Sequence, residues 1–231
     1  MIEVIDARKR YWRRHVLKGA SFTVEKGRIT CLVGLNGSGK STLLKAIMGL
    51  VPLTDGDVRI DGQAIDTVAR YERISFIPDH LIMPSSMRLS EAMQFMQDFY
   101  PHTWDQSRAD ELMRFFTLNR TDKIAALSKG TAAKFNLVLG LAQHTEFVLM
   151  DEPFSGIDLF SREQIAEVFT SELIEDRGVL LTTHEIGEME HLIDKAILLK
   201  DGEIAMAFDT EQMRHSANKS IVDIMREVYR T

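Results

Sequence analysis

The sequence predicts an α/β fold whose core is interrupted by a helical insertion. Three observations carry this reading. Short β-branched or alternating runs recur at 2–4, 21–25, 28–33, 57–60, 74–77, 147–150, 179–182 and 196–199. Between about residues 79 and 145 such runs thin out and helical spacing replaces them, as in Leu89, Met93 and Met96, then Leu112, Phe115 and Phe116. The 231 residues, 45% hydrophobic and 27% charged, have the balance of a globular chain able to bury one core.

Taken in order, Glu25-Lys26-Gly27 is the turn between the second and third runs. Over 41–49 a helix is expected: Leu43, Leu44, Ile47 and Met48 share one face, and Gly49 with Pro52 ends it. Asp55-Gly56 and Asp61-Gly62 flank a short strand in a hairpin-like pattern, and Pro78 stops the strand at 74–77. A helix is expected over 162–175 and a strand–turn pattern over 198–203. After Asp209 the chain is again helical, with Ile221, Ile224, Met225 and Val228 on one face. The expected organisation is a single domain with its core at 1–78 and 146–209, an insertion at about 79–145 and a helical tail at about 210–231.

A net charge of −6 argues against a general nucleic-acid binder, which needs a basic face to neutralise phosphates. The basic run Arg8-Lys9-Arg10, then Arg13-Arg14, reads as a solvated hairpin or as an electrostatic aid to capturing an anion. No apolar run reaches the ~18–20 residues of a membrane helix, and the N-terminus lacks a secretory pattern. A cytoplasmic location is expected, with any membrane role exercised through a partner. Cys31, the single cysteine, lies in an apolar strand pattern and reads as a core thiol.

Two motifs carry chemistry. Gly34-Leu35-Asn36-Gly37-Ser38-Gly39-Lys40-Ser41, followed by Thr42, fits the phosphate-loop pattern in full and lies between a strand and a helix. Its glycines let backbone N–H groups converge on phosphate oxygens, Lys40 neutralises the β- and γ-phosphates, and the Ser41 hydroxyl suits Mg²⁺. The second motif, 147–152, is a buried-strand pattern ending in Asp151 and Glu152. An acid at that edge can hold Mg²⁺ beside the phosphate loop, which assigns Asp151. Glu152, pointing the other way, can polarise a water for attack on the γ-phosphate.

The remaining motifs make a resemblance specific. Asp151-Glu152-Pro153-Phe154-Ser155-Gly156-Ile157-Asp158 resembles the joined Walker B and D-loop of ABC ATPases. Leu127-Ser128-Lys129-Gly130-Thr131 resembles the family signature L-S-G-G-Q, and Leu181-Thr182-Thr183-His184-Glu185 the switch-histidine segment. Tyr11 stands where the family places an adenine-stacking aromatic. The order matches from Tyr11 to His184, most of the chain.

That resemblance implies a P-loop NTPase (RecA-like) core with an antiparallel β subdomain and an inserted α-helical subdomain. It implies ATP and Mg²⁺ as cofactors, Glu152 as catalytic base and His184 as the γ-phosphate partner. Ser128 and Gly130, at the start of a helix, would serve ATP bound by a second nucleotide-binding subunit, identical or not, and Asp158 would link the two sites. The other implied partner is an integral membrane permease on whose cytoplasmic face the chain sits, received by a groove in the helical insertion. Met83 and Met87 are candidates to line that groove, whereas Met93, Met96 and Met113 fit the insertion's own core.

Two departures stand out. Asp79 replaces the family's usual Gln, and as a short charged residue it becomes a candidate metal contact; it is similar to some bacterial export-type members, which favours an exporter. Lys129 and Thr131 alter the signature, with Thr131 placed to cap the following helix. The alternative function is a soluble ABC ATPase acting in assembly, as in iron–sulfur biogenesis.

Overall fold

The computed structural model describes residues 1–64, 66–171, 174, 176–184 and 186–230; the expected helix end at Glu175 and the motif residue Glu185 lie outside them. The chain opens with β1 (Ile2–Tyr11) and β2 (Arg14–Val24), an antiparallel hairpin. These strands run well beyond the apolar stretches that announce them. Their outer ends hold the basic run, whose side chains face solvent while ladder bonds satisfy the backbone. Trp12, at φ 53° and 97% exposed, turns the hairpin.

β3 (Ile29–Val33) leads into α1 (Lys40–Ile47). β4 (Asp55–Ile60) and β5 (Gln63–Ala64) then complete a four-stranded antiparallel sheet in the order β2-β1-β4-β5. The next element, α2 (Thr67–Arg73), has no counterpart in the sequence reading: seven residues are too few for periodicity to show. It is capped by Asp66, whose carboxylate accepts the Ala69 N–H.

β6 (Ile74–Ile77) enters a second sheet, and three helices follow: α3 (Leu89–Phe99), α4 (Gln106–Phe115) and α5 (Lys129–Leu141). β7 (Phe147–Asp151), α6 (Leu159–Phe169), β8 (Gly178–Thr183), β9 (Lys195–Lys200) and β10 (Glu203–Asp209) return to the sheet. α7 (Thr210–Ala217) and α8 (Ile221–Tyr229) follow β10. The six-stranded order is β10-β9-β3-β8-β7-β6, parallel except for β10. The α/β fold with an antiparallel sheet and interposed helices is therefore the one expected. The helix expected over 162–175 is displaced to α6, because Asp158 caps it earlier.

Every residue of β7 and β8 is buried, as strands covered on both faces require. Period-two alternation sorts the side chains. Cys31, Val33, Met150, Leu181 and Leu198 join one apolar cluster with α5 and α6. Leu32, Leu149, Leu180, Ile197 and Leu199 join another with Leu43, Leu44 and Ile47 of α1 and the antiparallel sheet. Cys31 is fully buried, and burial pushes its thiol up, so it packs as an inert core residue. Among the described residues, no helix is long and apolar enough to cross a membrane.

Candidate nucleotide site

The parallel strands end at one edge, and there β3 releases the glycine loop. Gly37 and Gly39 adopt φ of 80° and 111°, which side chains rarely tolerate. At Gly34 a Cβ would lie 2.5 Å from Ser38 Oγ and 2.7 Å from the Leu199 carbonyl oxygen, so only glycine fits. Asn36 and Gly37 are exposed at the loop tip, while Ser38, Gly39 and Lys40 are buried at its base. Ser38 Oγ is buried and finds no hydrogen-bond partner among the described residues, an orphan that a phosphate oxygen would satisfy. α1 begins at Lys40 with Ser41 and Thr42 in its first turn, so its free N–H groups and positive dipole end meet the same place.

Lys40 is 6% exposed; its Nζ donates to the Gly34 carbonyl at 2.8 Å and stands 3.2 Å from Glu152 Oε1. Ser41 Oγ donates to Asp151 Oδ1 at 3.0 Å, and Thr182 Oγ1 donates to the same oxygen at 2.7 Å. Hydroxyl and carboxylate oxygens are hard donors, so Ser41 and Asp151 fit Mg²⁺.

Glu152 does not reach the site by strand alternation, as the sequence reading has it. Its φ of 49° turns the backbone out of β7, and its N–H donates to Thr182 Oγ1 at 3.0 Å. That turn carries Oε2 to 2.8 Å from His184 Nδ1. Thr182 thus holds both acids from the neighbouring strand. Sequence reasoning missed it, because a threonine in an apolar run reads as a strand residue; its signal is the register that puts Thr182 opposite Asp151.

Tyr11 lies at the hairpin tip, 43% exposed and paired with Arg14. The Arg14 guanidinium stands 3.8 Å from where a Gly37 Cβ would be, so this tip adjoins the phosphate loop. Lys9 Nζ lies 4.9 Å from the Tyr11 ring centroid, a cation–π contact on one face.

Ser128, Gly130 and Asp158 form a separate group. Among the described residues, no hydrogen bond or ion pair joins them to 34–42. Ser128 is the N-cap of α5, accepting the Thr131 N–H at 3.1 Å, which corrects the assignment of the cap to Thr131. Asp158 caps α6 and accepts the Ser161 N–H at 3.0 Å and the Ser161 hydroxyl at 2.8 Å; these two bonds hold its carboxyl below the usual range. A Cβ on Gly130 would lie 2.4 Å from Ser161 Oγ and 2.9 Å from Asp158 Oδ2, so the two helix starts are in contact. Asp79 is not brought against Ser41 or Asp151 by any hydrogen bond among the described residues. It is exposed and meets the His80 ring at 2.6 Å, in a cleft lined also by Lys129, Pro153 and Ser155.

A glycine loop at the edge of a parallel sheet, a helix start behind it and an acid-ended strand beside it define a P-loop nucleoside triphosphatase. Residues 17–155 match the family model described as ABC transporter, and the chain belongs to that family. It is 30% identical to the linearmycin resistance ATP-binding protein LnrL of Bacillus subtilis, over 97% of this chain and 74% of that one. It is 29% identical to the lipopolysaccharide export system ATP-binding protein LptB of Haemophilus influenzae, over 89% of each. A solved structure described as the ATP binding subunit of an ABC transporter superposes with a TM-score of 0.87 at 25% identity, over 99% of both chains. The chain is an ATP-binding subunit of an ABC transporter and an ATPase, and the soluble assembly-factor alternative is not favoured.

Proposed function

We propose that ATP is held at 34–42, hydrolysed through Glu152 and His184, and used to drive a separate membrane permease in export from the cytoplasmic side. The observation that carries the reading is the chain of contacts from Lys40 through Glu152 to His184, next to Ser41 and Asp151. Lys40, Ser38 and the loop N–H groups bind phosphates, and Tyr11 offers its free face to the adenine. When the γ-phosphate enters, Lys40 exchanges its Glu152 contact for phosphate oxygens, since an ammonium has three donors and keeps Gly34 on another. The Glu152 carboxylate is then free to accept a proton from the attacking water, with His184 fixing its orientation. Ser41 and Asp151 hold Mg²⁺, which supplies charge neutralisation to the phosphates. Asp79, engaged with His80, is at most an outer contact in this arrangement.

Ser128, Gly130 and Asp158 complete the site of a second nucleotide-binding subunit. Their grouping at two helix starts, with no hydrogen bond to the chain's own phosphate loop among the described residues, supports this. The permease docks in a groove of 240 Å³ between α3, α5 and β6, whose wall includes Tyr71, Met83, Phe95 and Phe99. Ile82 and Phe99, 71% and 63% exposed, leave apolar surface that an entering helix would cover. Met83 lines this groove, which supports it as a docking candidate. Met87 is not among the residues that line this groove. Met93, Met96 and Met113 are buried, with Met96 also forming the groove floor. Export rests on the name of the lipopolysaccharide export relative and on Asp79.

The deciding experiment is Glu152→Gln. The variant should bind ATP, lose turnover by roughly a hundredfold or more, and accumulate as an ATP-bound dimer. Wild-type turnover from it would overturn the assignment.

A further inference from the structure

Outside the residues that the nucleotide reading uses, one contact reaches the phosphate loop from a distant element. α8 packs along the sheet through Ile221 and Ile224, and its last residue, Tyr229, turns its phenol to the open end of the β3–β9 pair. The hydroxyl points at two backbone carbonyls, Val33 at 3.1 Å and Leu199 at 3.2 Å, and its one proton is shared between them. Val33 is the residue from which the loop departs. The Leu199 carbonyl is the group that Gly34 must accommodate, since a Cβ there would lie 2.7 Å from it. Gly34 in turn presents its own carbonyl to Lys40 Nζ at 2.8 Å. A continuous set of contacts therefore runs from the Tyr229 hydroxyl, through the first peptide of the loop, to the ammonium that meets phosphate.

Other bonds hold the helix that presents this phenol. Lys200 Nζ donates to the Val228 carbonyl at 2.8 Å, and Ser220 with Asp223 forms a capping box. The Ile221 N–H donates to Glu190 Oε1 at 2.9 Å, which ties the start of α8 to the turn after His184. Burial pushes the Tyr229 phenol up to about 12, so the hydroxyl stays a donor at all working pH values.

We infer that Tyr229 is a positioning residue for ATP binding: α8 straps the base of the phosphate loop, and the phenol sets where Gly34 holds Lys40. The inference rests on the nucleotide reading of residues 34–42. It gives α8 a part in substrate binding that none of the motifs in the chain records.

Tyr229→Phe keeps the ring and removes only the hydroxyl, so it isolates the bond. The expected result, measured with ATP and Mg²⁺, is a KM and a Kd for ATP raised roughly three- to tenfold, the loss of one such bond, with kcat little changed. ATP should also raise the melting temperature of Tyr229→Phe by less than it raises that of the wild type, whereas a merely structural bond would lower the nucleotide-free and ATP-bound midpoints alike. Ile224→Ser, which loosens α8 with the tyrosine intact, should shift KM in the same direction. A KM and Kd within twofold of wild type in Tyr229→Phe would overturn the inference. Lys40→Ala separates the two claims. If wild type and Lys40→Ala bind ATP equally, the nucleotide reading itself fails; if only Lys40→Ala is weakened, the strap alone fails.

Discussion

Glu152 Oε2 and His184 Nδ1 meet at 2.8 Å, although 32 positions separate them in the chain. The contact exists because β7 and β8 are parallel neighbours that end together, and because Glu152 leaves its strand in a left-handed conformation. A carboxylate held by an imidazole on one oxygen and by Lys40 on the other is fixed in direction before any substrate arrives.

Removing the imidazole should therefore cost orientation rather than affinity. His184→Ala is expected to lower kcat by roughly a hundredfold while the Kd for ATP changes little. Equilibrium ATP binding alongside steady-state turnover checks it; an unchanged kcat would show that His184 takes no part.

Stability should carry an acid limb from Glu146. Arg73 donates to it at 2.8 Å and Lys26 pairs with it, and these cations, Arg73 foremost, hold its carboxyl down to about 2 from an ordinary 4.5. A carboxylate depressed in the folded state adds stability above its unfolded value and loses it as pH falls through the folded one. The wild type should thus weaken between about pH 5 and pH 2, and Glu146→Gln should show a smaller loss over that window. Urea midpoints at pH 7 and pH 3 measure both; parallel losses would remove Glu146 from the account.

The contact between the α5 and α6 starts predicts a steric coupling. Gly130→Ala sets a methyl against Ser161 Oγ and should destabilise by about 1–3 kcal/mol. Adding Ser161→Ala removes the opposing oxygen and should recover part of that loss, which a double-mutant cycle in denaturant reads directly. Strict additivity would mean that the two helices relax apart.

Charge placed in the groove should separate docking from hydrolysis. Phe99→Asp and Met83→Asp are expected to abolish co-purification with the permease while the isolated subunit keeps its ATPase rate. Retained co-purification in both variants would move the permease to another face.

The motifs of the candidate site are legible in the sequence for a physical reason. Wrapping a phosphate demands glycine at fixed positions, one lysine and one hydroxyl, all contiguous, so the requirement is written locally at 34–41. Other parts were hidden. Thr182 is an ordinary strand residue until register sets it against Asp151, and Tyr229 lies in an amphipathic helix whose pattern reports burial alone. Asp79 carries an acid suited to a metal, yet folding pairs it with His80.

By itself the sequence determined most of the strands and the longer helices, the phosphate-loop and acid-pair motifs and the family, because each rests on local periodicity or on contiguous chemistry, whereas the short α2 escaped it. Only the tertiary structure decided which side chains meet. Strand order set Thr182 beside Asp151, the turn at Glu152 brought its carboxylate to Lys40 and His184, and the packing of α8 delivered Tyr229 to the base of the loop. Such meetings depend on the relative placement of distant elements, which the burial of two apolar sheet faces settles and no local pattern encodes.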